Sequence, residues 1–157
     1  MSQTVQPAYE VSPGFHSFTI GDAKVTALFE GYTKRAIEAS WVVNAPVEEV
    51  KATLALWNWP TDMIPTHFTV MLLERAGRKI LIDAGFGDNG PPTGGELIKN
   101  MKASGVDPEE IDTVLVSHFH SDHINGLRMK DGALAFPNAT ISAPQIEWDY
   151  WMDDARM

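Results

Sequence analysis

Three of the five histidines in this chain fall within six residues, in Ser117-His118-Phe119-His120-Ser121-Asp122-His123, with an aspartate among them. Imidazoles crowded this closely repel one another when protonated, and they leave polar nitrogens unsatisfied when buried without partners. A divalent cation removes both costs. Alternation lets His118 and His120 converge on one ion, while Asp122 and His123, beyond a bend in the chain, can address a second. The chain has no cysteine, so the ligands are nitrogen and oxygen, a set that suits zinc and also manganese, iron or cobalt. The absence of cysteine also removes any disulfide framework and any thiol nucleophile. A histidine-rich surface turn that binds nothing is the alternative; residue type, spacing and position after a strand together weigh against it.

Such a cluster must be delivered by firm elements. Thr113 to Val116 is a short β-branched run of the kind expected for a strand buried on both faces, and it leads directly into Ser117-His118. Lys79 to Ile82 reads as a second strand, joined to Thr66 to Glu74 by a turn at Arg75-Ala76-Gly77-Arg78 and ending in Asp83-Ala84-Gly85. Phe15 to Ile20 and Lys24 to Glu30 predict a hairpin about Gly21-Asp22. Val47, Val50, Leu54 and Trp57 recur at helical spacing, which predicts a helix from Pro46 to Trp57, stopped by Pro60. Phe86 to Gly95 is rich in glycine and proline and predicts a loop, followed by a helix from Glu96 to Ser104 with Gly105 as its stop. Asp107-Pro108-Glu109-Glu110 is a helix-start signal worth one turn. Short strands are expected at Ala133 to Phe136 and Thr140 to Ser142, then a helix opened by Pro144 that carries Ile146, Trp148, Tyr150 and Trp151.

The length of 157 residues suits one domain, and a hydrophobic fraction of 44% with five tryptophans is enough for a core. Twelve basic against 21 acidic residues give a net charge of −9. That charge opposes a nucleic-acid backbone, so a polynucleotide is not the expected partner. The opening residues are polar and aperiodic, with Pro7 and Pro13, so residues 1–14 are expected as a flexible arm and 15–157 as the folded part. Neither a secretory leader nor an apolar run of membrane-spanning length occurs, and the expectation is a soluble, cytoplasmic protein without membrane contact.

His118-x-His120-x-Asp122-His123 after an apolar strand resembles the signature of the metallo-β-lactamase fold. Leu81-Ile82-Asp83-Ala84-Gly85 is similar to the family's strand-end Asp-x-Gly, which implies that Asp83 supports the metal-binding loop from behind the ligands. Phe136-Pro137-Asn138-Ala139 and Glu147-Trp148-Asp149-Tyr150-Trp151 resemble the branch that contains methyl parathion hydrolase and related lactonases, which implies a substrate-pocket role for Trp151. The fold so implied is α/β (α+β), an αββα sandwich of which this chain supplies the N-terminal half, with a mainly antiparallel sheet and flanking helices. The implied chemistry is hydrolysis. Two divalent ions, zinc in the first instance with iron or manganese as alternatives, activate a shared water against an ester, lactone or phosphotriester. His118, His120, Asp122 and His123 are the expected ligands, and Asp122 is also expected to orient the water or pass a proton to the leaving group. Phe86 and Phe119 could floor an apolar cleft, with Trp57 and Trp59 at its rim; His16 and His67 read as structural, His67 being the better candidate for a pocket contact.

The resemblance also implies ligands that are not here: one more histidine for each metal and a bridging aspartate. No histidine follows His123, and Asp131, Asp149, Asp153 and Asp154 lie in no matching context. Ending at Met157 directly after a helix reads as an interruption. A fragment of a longer hydrolase is therefore expected, ahead of a half-domain completed by a C-terminal half on another chain or a protein that has lost catalysis. Half a sandwich would leave one apolar sheet face wet. Rival readings are an iron-dependent oxidoreductase of the same fold and a non-catalytic half-domain that pairs with a partner. A small-molecule substrate and a homodimer complete the expectation.

Overall fold

The computed structural model describes residues 14–155, so the expected arm lies outside the described residues apart from Gly14. Two compact units divide the chain: residues 14–31 with 67–155, and Tyr32–Thr66. In the latter, helix α1 (Val47–Leu56) has no buried residue, and Val47, Val50 and Leu54 are half-buried. Leu56 and Trp57 are largely exposed.

The sheet follows chain order: β1 (Phe15–Ile20), β2 (Ala23–Ala36), β3 (Met63–Arg75), β4 (Arg78–Ile82), β5 (Thr113–Leu115) and β6 (Thr140–Ser142). It is mixed. The β1/β2 and β3/β4 hairpins are antiparallel, while β4/β5 and β5/β6 pair in parallel. The β3/β4 turn holds Ala76 at φ 50° and Gly77 at φ 76°, the doubly left-handed turn whose twist matches that of its flanking strands. The described helices are α1, α2 (Leu97–Ala103), the single turn α3 (Ser121–Ile124) and α4 (Gln145–Trp151). Asp107 caps the 3₁₀ turn Pro108–Glu110, accepting from the Glu109 N–H at 3.1 Å. No described helix is long and apolar enough to cross a membrane.

Cross-strand register explains the core. Leu72, Leu81 and Val114 stand opposite one another on β3, β4 and β5, and with Leu28 on β2 all four are wholly buried. Leu97 and Met101 of α2, with Ile111, Val116 and Phe136, close over that face. Each such side chain contributes about 1.5–3 kcal/mol of transfer free energy. The neighbouring register row, Met71, Ile82 and Leu115, points to the other side of the sheet and is 37–40% exposed. The expectation that β5 is buried on both faces is therefore corrected: Val114 and Val116 are covered, Leu115 is not, because among the described residues no layer covers that face.

One expected strand is replaced. Around Ala133 to Phe136 only an isolated bridge forms, between Arg128 and Leu134. Pairing starts at a tight turn, with the Gly132 N–H donating to Met129 O at 2.9 Å, and ends where the chain enters the 3₁₀ turn Asn125–Leu127, while Ala135 and Phe136 turn into the core.

Candidate metal centre

The loops that follow β4 and β5 are laced together. Ala84 N–H donates to His123 O at 2.8 Å, and Gly126 N–H to Gly85 O at 2.9 Å. Behind them lies the wholly buried Glu30 of β2. Its Oε1 accepts from the N–H groups of Phe86, Gly87 and Gly95 at 2.8, 3.0 and 3.2 Å, and its Oε2 from Leu97 at 2.8 Å. Burial pushes the Glu30 carboxyl above the usual carboxylate range, and these four N–H groups pull in the opposite direction. Gly85 has φ 69°, and a Cβ there would come within 2.7 Å of the Glu30 carboxyl, so only glycine lets the loop sit on this anchor.

Asp83 stands at the end of β4 with φ 66°, a left-handed conformation uncommon outside glycine. Four bonds hold it there. Its N–H donates to Leu115 O at 2.8 Å; Oδ1 accepts from Ser117 N–H at 2.7 Å; Oδ2 accepts from Ser117 Oγ at 2.9 Å and His123 Nδ1 at 2.8 Å. The carboxylate thus grips the first residue of the motif and its last histidine.

All four expected ligands are gathered in this region, in two pairs. His118 Nε2 lies 3.1 Å from His120 Nδ1, and His123 Nε2 lies 3.4 Å from Asp122 Oδ2. The His118 ring lies 3.9 Å between centroids from His123, tilted by 51°, and 4.6 Å, edge-on, from His120. Zinc bonds of about 2.0–2.1 Å in a tetrahedron place two donors about 3.3 Å apart. Both separations match one tetrahedron edge. The donor chemistry therefore fits two divalent ions, each held at one edge. Among the described residues no set of three or more His, Cys, Asp or Glu side chains could enclose one ion, and catalytic zinc takes three protein ligands.

Phe119 points away from the imidazoles. It lines an apolar cavity of about 390 Å³ together with Val116, Ile124, Leu127, Ile141 and Trp148, and meets Trp148 edge-on at 6.5 Å. Trp151 and Phe86 do not line this cavity. Trp151 Nε1 donates to Glu147 Oε2 at 3.1 Å, and the same oxygen accepts from Phe119 N–H at 3.0 Å. Phe86 packs edge-on against Phe68 at 4.9 Å. His16 stacks on Phe18, and His67 lies beside Phe29 at 6.1 Å. Three residues of the centre escape sequence reasoning: Ser117, Glu30 and Glu147. Glu147 sits at a half-buried position on a helix rich in aromatics and latches the backbone of the motif loop, a signal visible only after folding.

The family model of the metallo-beta-lactamase superfamily matches residues 66–153, more than half of the chain and inclusive of Asp83 and of the motif from Ser117 to His123. The chain belongs to the metallo-beta-lactamase superfamily. Among solved structures it is similar to AidC, described as a dizinc quorum-quenching lactonase in complex with a product, N-hexnoyl-L-homoserine. The identity is 29%, the TM-score 0.85, and the match covers 89% of this chain and 48% of that one. It is also similar to the hydrolase AbOPH, at 30% identity and a TM-score of 0.82, over 91% of this chain and 48% of that one. A probable metal-dependent hydrolase from Staphylococcus aureus follows at 26% identity and a TM-score of 0.67, covering 88% and 53%. The chain spans about half the length of these solved structures. Ribonuclease Z of Clostridium kluyveri is 38% identical over 61 residues, 39% of this chain and 17% of the relative.

Proposed function

We propose that the chain supplies the first half of the binuclear metal site of a metallohydrolase that acts on an uncharged ester, lactone or phosphotriester. One observation carries the reading: two donor pairs at single-tetrahedron-edge spacing, 3.1 and 3.4 Å, braced by Asp83. Its support is the likeness to a dizinc lactonase and to AbOPH at 29% and 30% identity. Zinc at both pairs would lower the pKa of a bound water and polarise the attacked oxygen. Asp122 with His123 would hold one ion, and Asp122 would also orient the attacking water or pass a proton to the leaving group. His118 and His120 would hold the other. The braced loop keeps these donors in place as substrate arrives. The ribonuclease relatives suggest a polyanionic substrate, which a net charge of −9 opposes.

The remaining ligands come in this reading from a complementing half, which also covers the Met71, Ile82 and Leu115 face. A homodimer is the further proposal for assembly, in the cytoplasm. The test is hydrolysis of a lactone and an aryl phosphotriester with and without added zinc. The isolated chain is expected near the uncatalysed rate, and a zinc-dependent rate is expected once a second half is supplied. Enzyme-like rates from the isolated chain contradict the incomplete-site reading; no zinc dependence in the complemented protein contradicts the metal reading.

A further inference from the structure

Ser117 is not a zinc ligand, yet its hydroxyl sits at the junction of the centre. Its Oγ lies 2.9 Å from Asp83 Oδ2, 3.0 Å from His118 Nδ1 and 3.2 Å from His123 Nδ1. A hydroxyl has one proton and two lone pairs, whereas an ionised carboxylate only accepts. Asp83 already accepts a backbone N–H on Oδ1 and meets His123 Nδ1 on Oδ2, and the Ser117 hydroxyl is placed to donate to that same Oδ2. The Ser117 proton must therefore go to Asp83 Oδ2. The serine oxygen is left as an acceptor, and the nearest donor available to it is His118 Nδ1. His118 accordingly carries its proton on Nδ1 and keeps a free lone pair on Nε2, the atom that faces His120. His123 reaches the same state directly, since its Nδ1–H donates to Asp83 at 2.8 Å and its Nε2 faces Asp122.

We propose that Ser117 is a positioning residue that relays Asp83 to His118, so that one carboxylate sets the tautomer of one imidazole in each donor pair. The two halves of the centre are then coupled through a single side chain: directly on the His123 side and through a hydroxyl on the His118 side. Glu147, by contrast, bonds the Phe119 backbone and does not reach the imidazoles in this way. The purpose of the relay rests on the metal reading above, but its existence does not, because tautomers are read without metal.

The experiment is long-range ¹⁵N–¹H correlation of the imidazoles in the metal-free 157-residue chain, at a pH where all are neutral. The wild type is expected to show Nδ1–H at both His118 and His123, against the Nε2–H preference of free histidine. In Ser117→Ala, His118 is expected to revert to Nε2–H while His123 keeps Nδ1–H, and Ser117→Thr, which retains the hydroxyl, is expected to restore His118. Zinc affinity in Ser117→Ala is expected to fall about 10- to 100-fold, the usual effect of losing a partner behind a metal ligand, with Ser117→Thr recovering most of it. Nε2–H at His118 in the wild type overturns the relay, and so does an Ala variant in which His118 is unchanged. Loss at both imidazoles also overturns it, because Ser117 would then act by holding the loop together. Wild-type chain with the expected tautomers and no zinc uptake overturns the metal reading and leaves the relay standing.

Discussion

Replacing Asp83 by asparagine removes one charge and one acceptor while barely changing shape. Asparagine also tolerates the left-handed backbone at φ 66°, whereas alanine there would add a strain of about 1–2 kcal/mol. The variant therefore isolates the chemistry. Its remaining oxygen can still accept from Ser117 N–H, but the amide NH₂ then confronts the Ser117 hydroxyl and His123 Nδ1–H, donor against donor. Two bonds to an ionised acceptor are lost, each worth about 1.5–3 kcal/mol. Ser117 is exposed and its hydroxyl can turn to water. The His123 side chain is only 25% exposed and has no such escape, so about 2–3 kcal/mol of the gross loss should survive as destabilisation. If His123 instead moves its proton to Nε2, that atom no longer offers a lone pair beside Asp122, and zinc affinity falls about 10- to 100-fold. Chemical denaturation of the metal-free chain and calorimetric zinc titration measure the two quantities. A stability change under about 0.5 kcal/mol together with zinc affinity within about twofold of wild type would refute the idea that Asp83 braces the centre.

Other outcomes follow from the same structure. Leu81→Ala empties a wholly buried site in the middle of the sheet and should cost about 2–5 kcal/mol by denaturation. Glu30 has a folded-state carboxyl raised by burial, so the native chain holds this proton more tightly than the unfolded chain. Relative to Glu30→Gln, wild-type stability should therefore fall as pH rises from about the unperturbed 4.5 toward neutrality; a relative gain over that window would mean that the four N–H donors outweigh burial. Leu115→Thr, on the uncovered face, should change stability by less than about 1 kcal/mol and reduce concentration-dependent association in sedimentation. Zinc should move the His120 proton from Nδ1, which faces His118 Nε2 at 3.1 Å, to Nε2, leaving the tautomers of His118 and His123 unchanged in imidazole spectra.

Local patterns carried far in this chain. The hairpins at Gly21-Asp22 and Ala76-Gly77, the cap at Asp107 and the delivery of His118 from β5 all depend on neighbours in sequence, and each is where spacing and turn chemistry place it. Asp83 was visible through its position at a strand end. Long-range partnership was not. Glu30 looks like one more polar residue in a strand, because the groups that make it an anchor lie 56 to 67 positions away. Ser117 is a small residue beside a conspicuous motif, and only geometry shows its hydroxyl between Asp83 and two imidazoles. The β-branched and apolar run of β5 suggests coverage on both faces, whereas coverage depends on what packs against Leu115. Trp148 rather than Trp151 lines the apolar cavity, since a shift of three along a helix turns a side chain to a neighbouring part of its surface and aromatic content alone does not choose between the two.

The most direct test of the central claim is equilibrium zinc titration of the 157-residue chain beside its His118→Ala and His123→Ala variants, reading bound metal per polypeptide. Two zinc ions per wild-type chain at saturation, with one lost in each variant, are the outcome expected from two donor pairs. Zinc uptake that is absent, or that both variants leave unchanged, would contradict the assignment of these pairs as the metal centre.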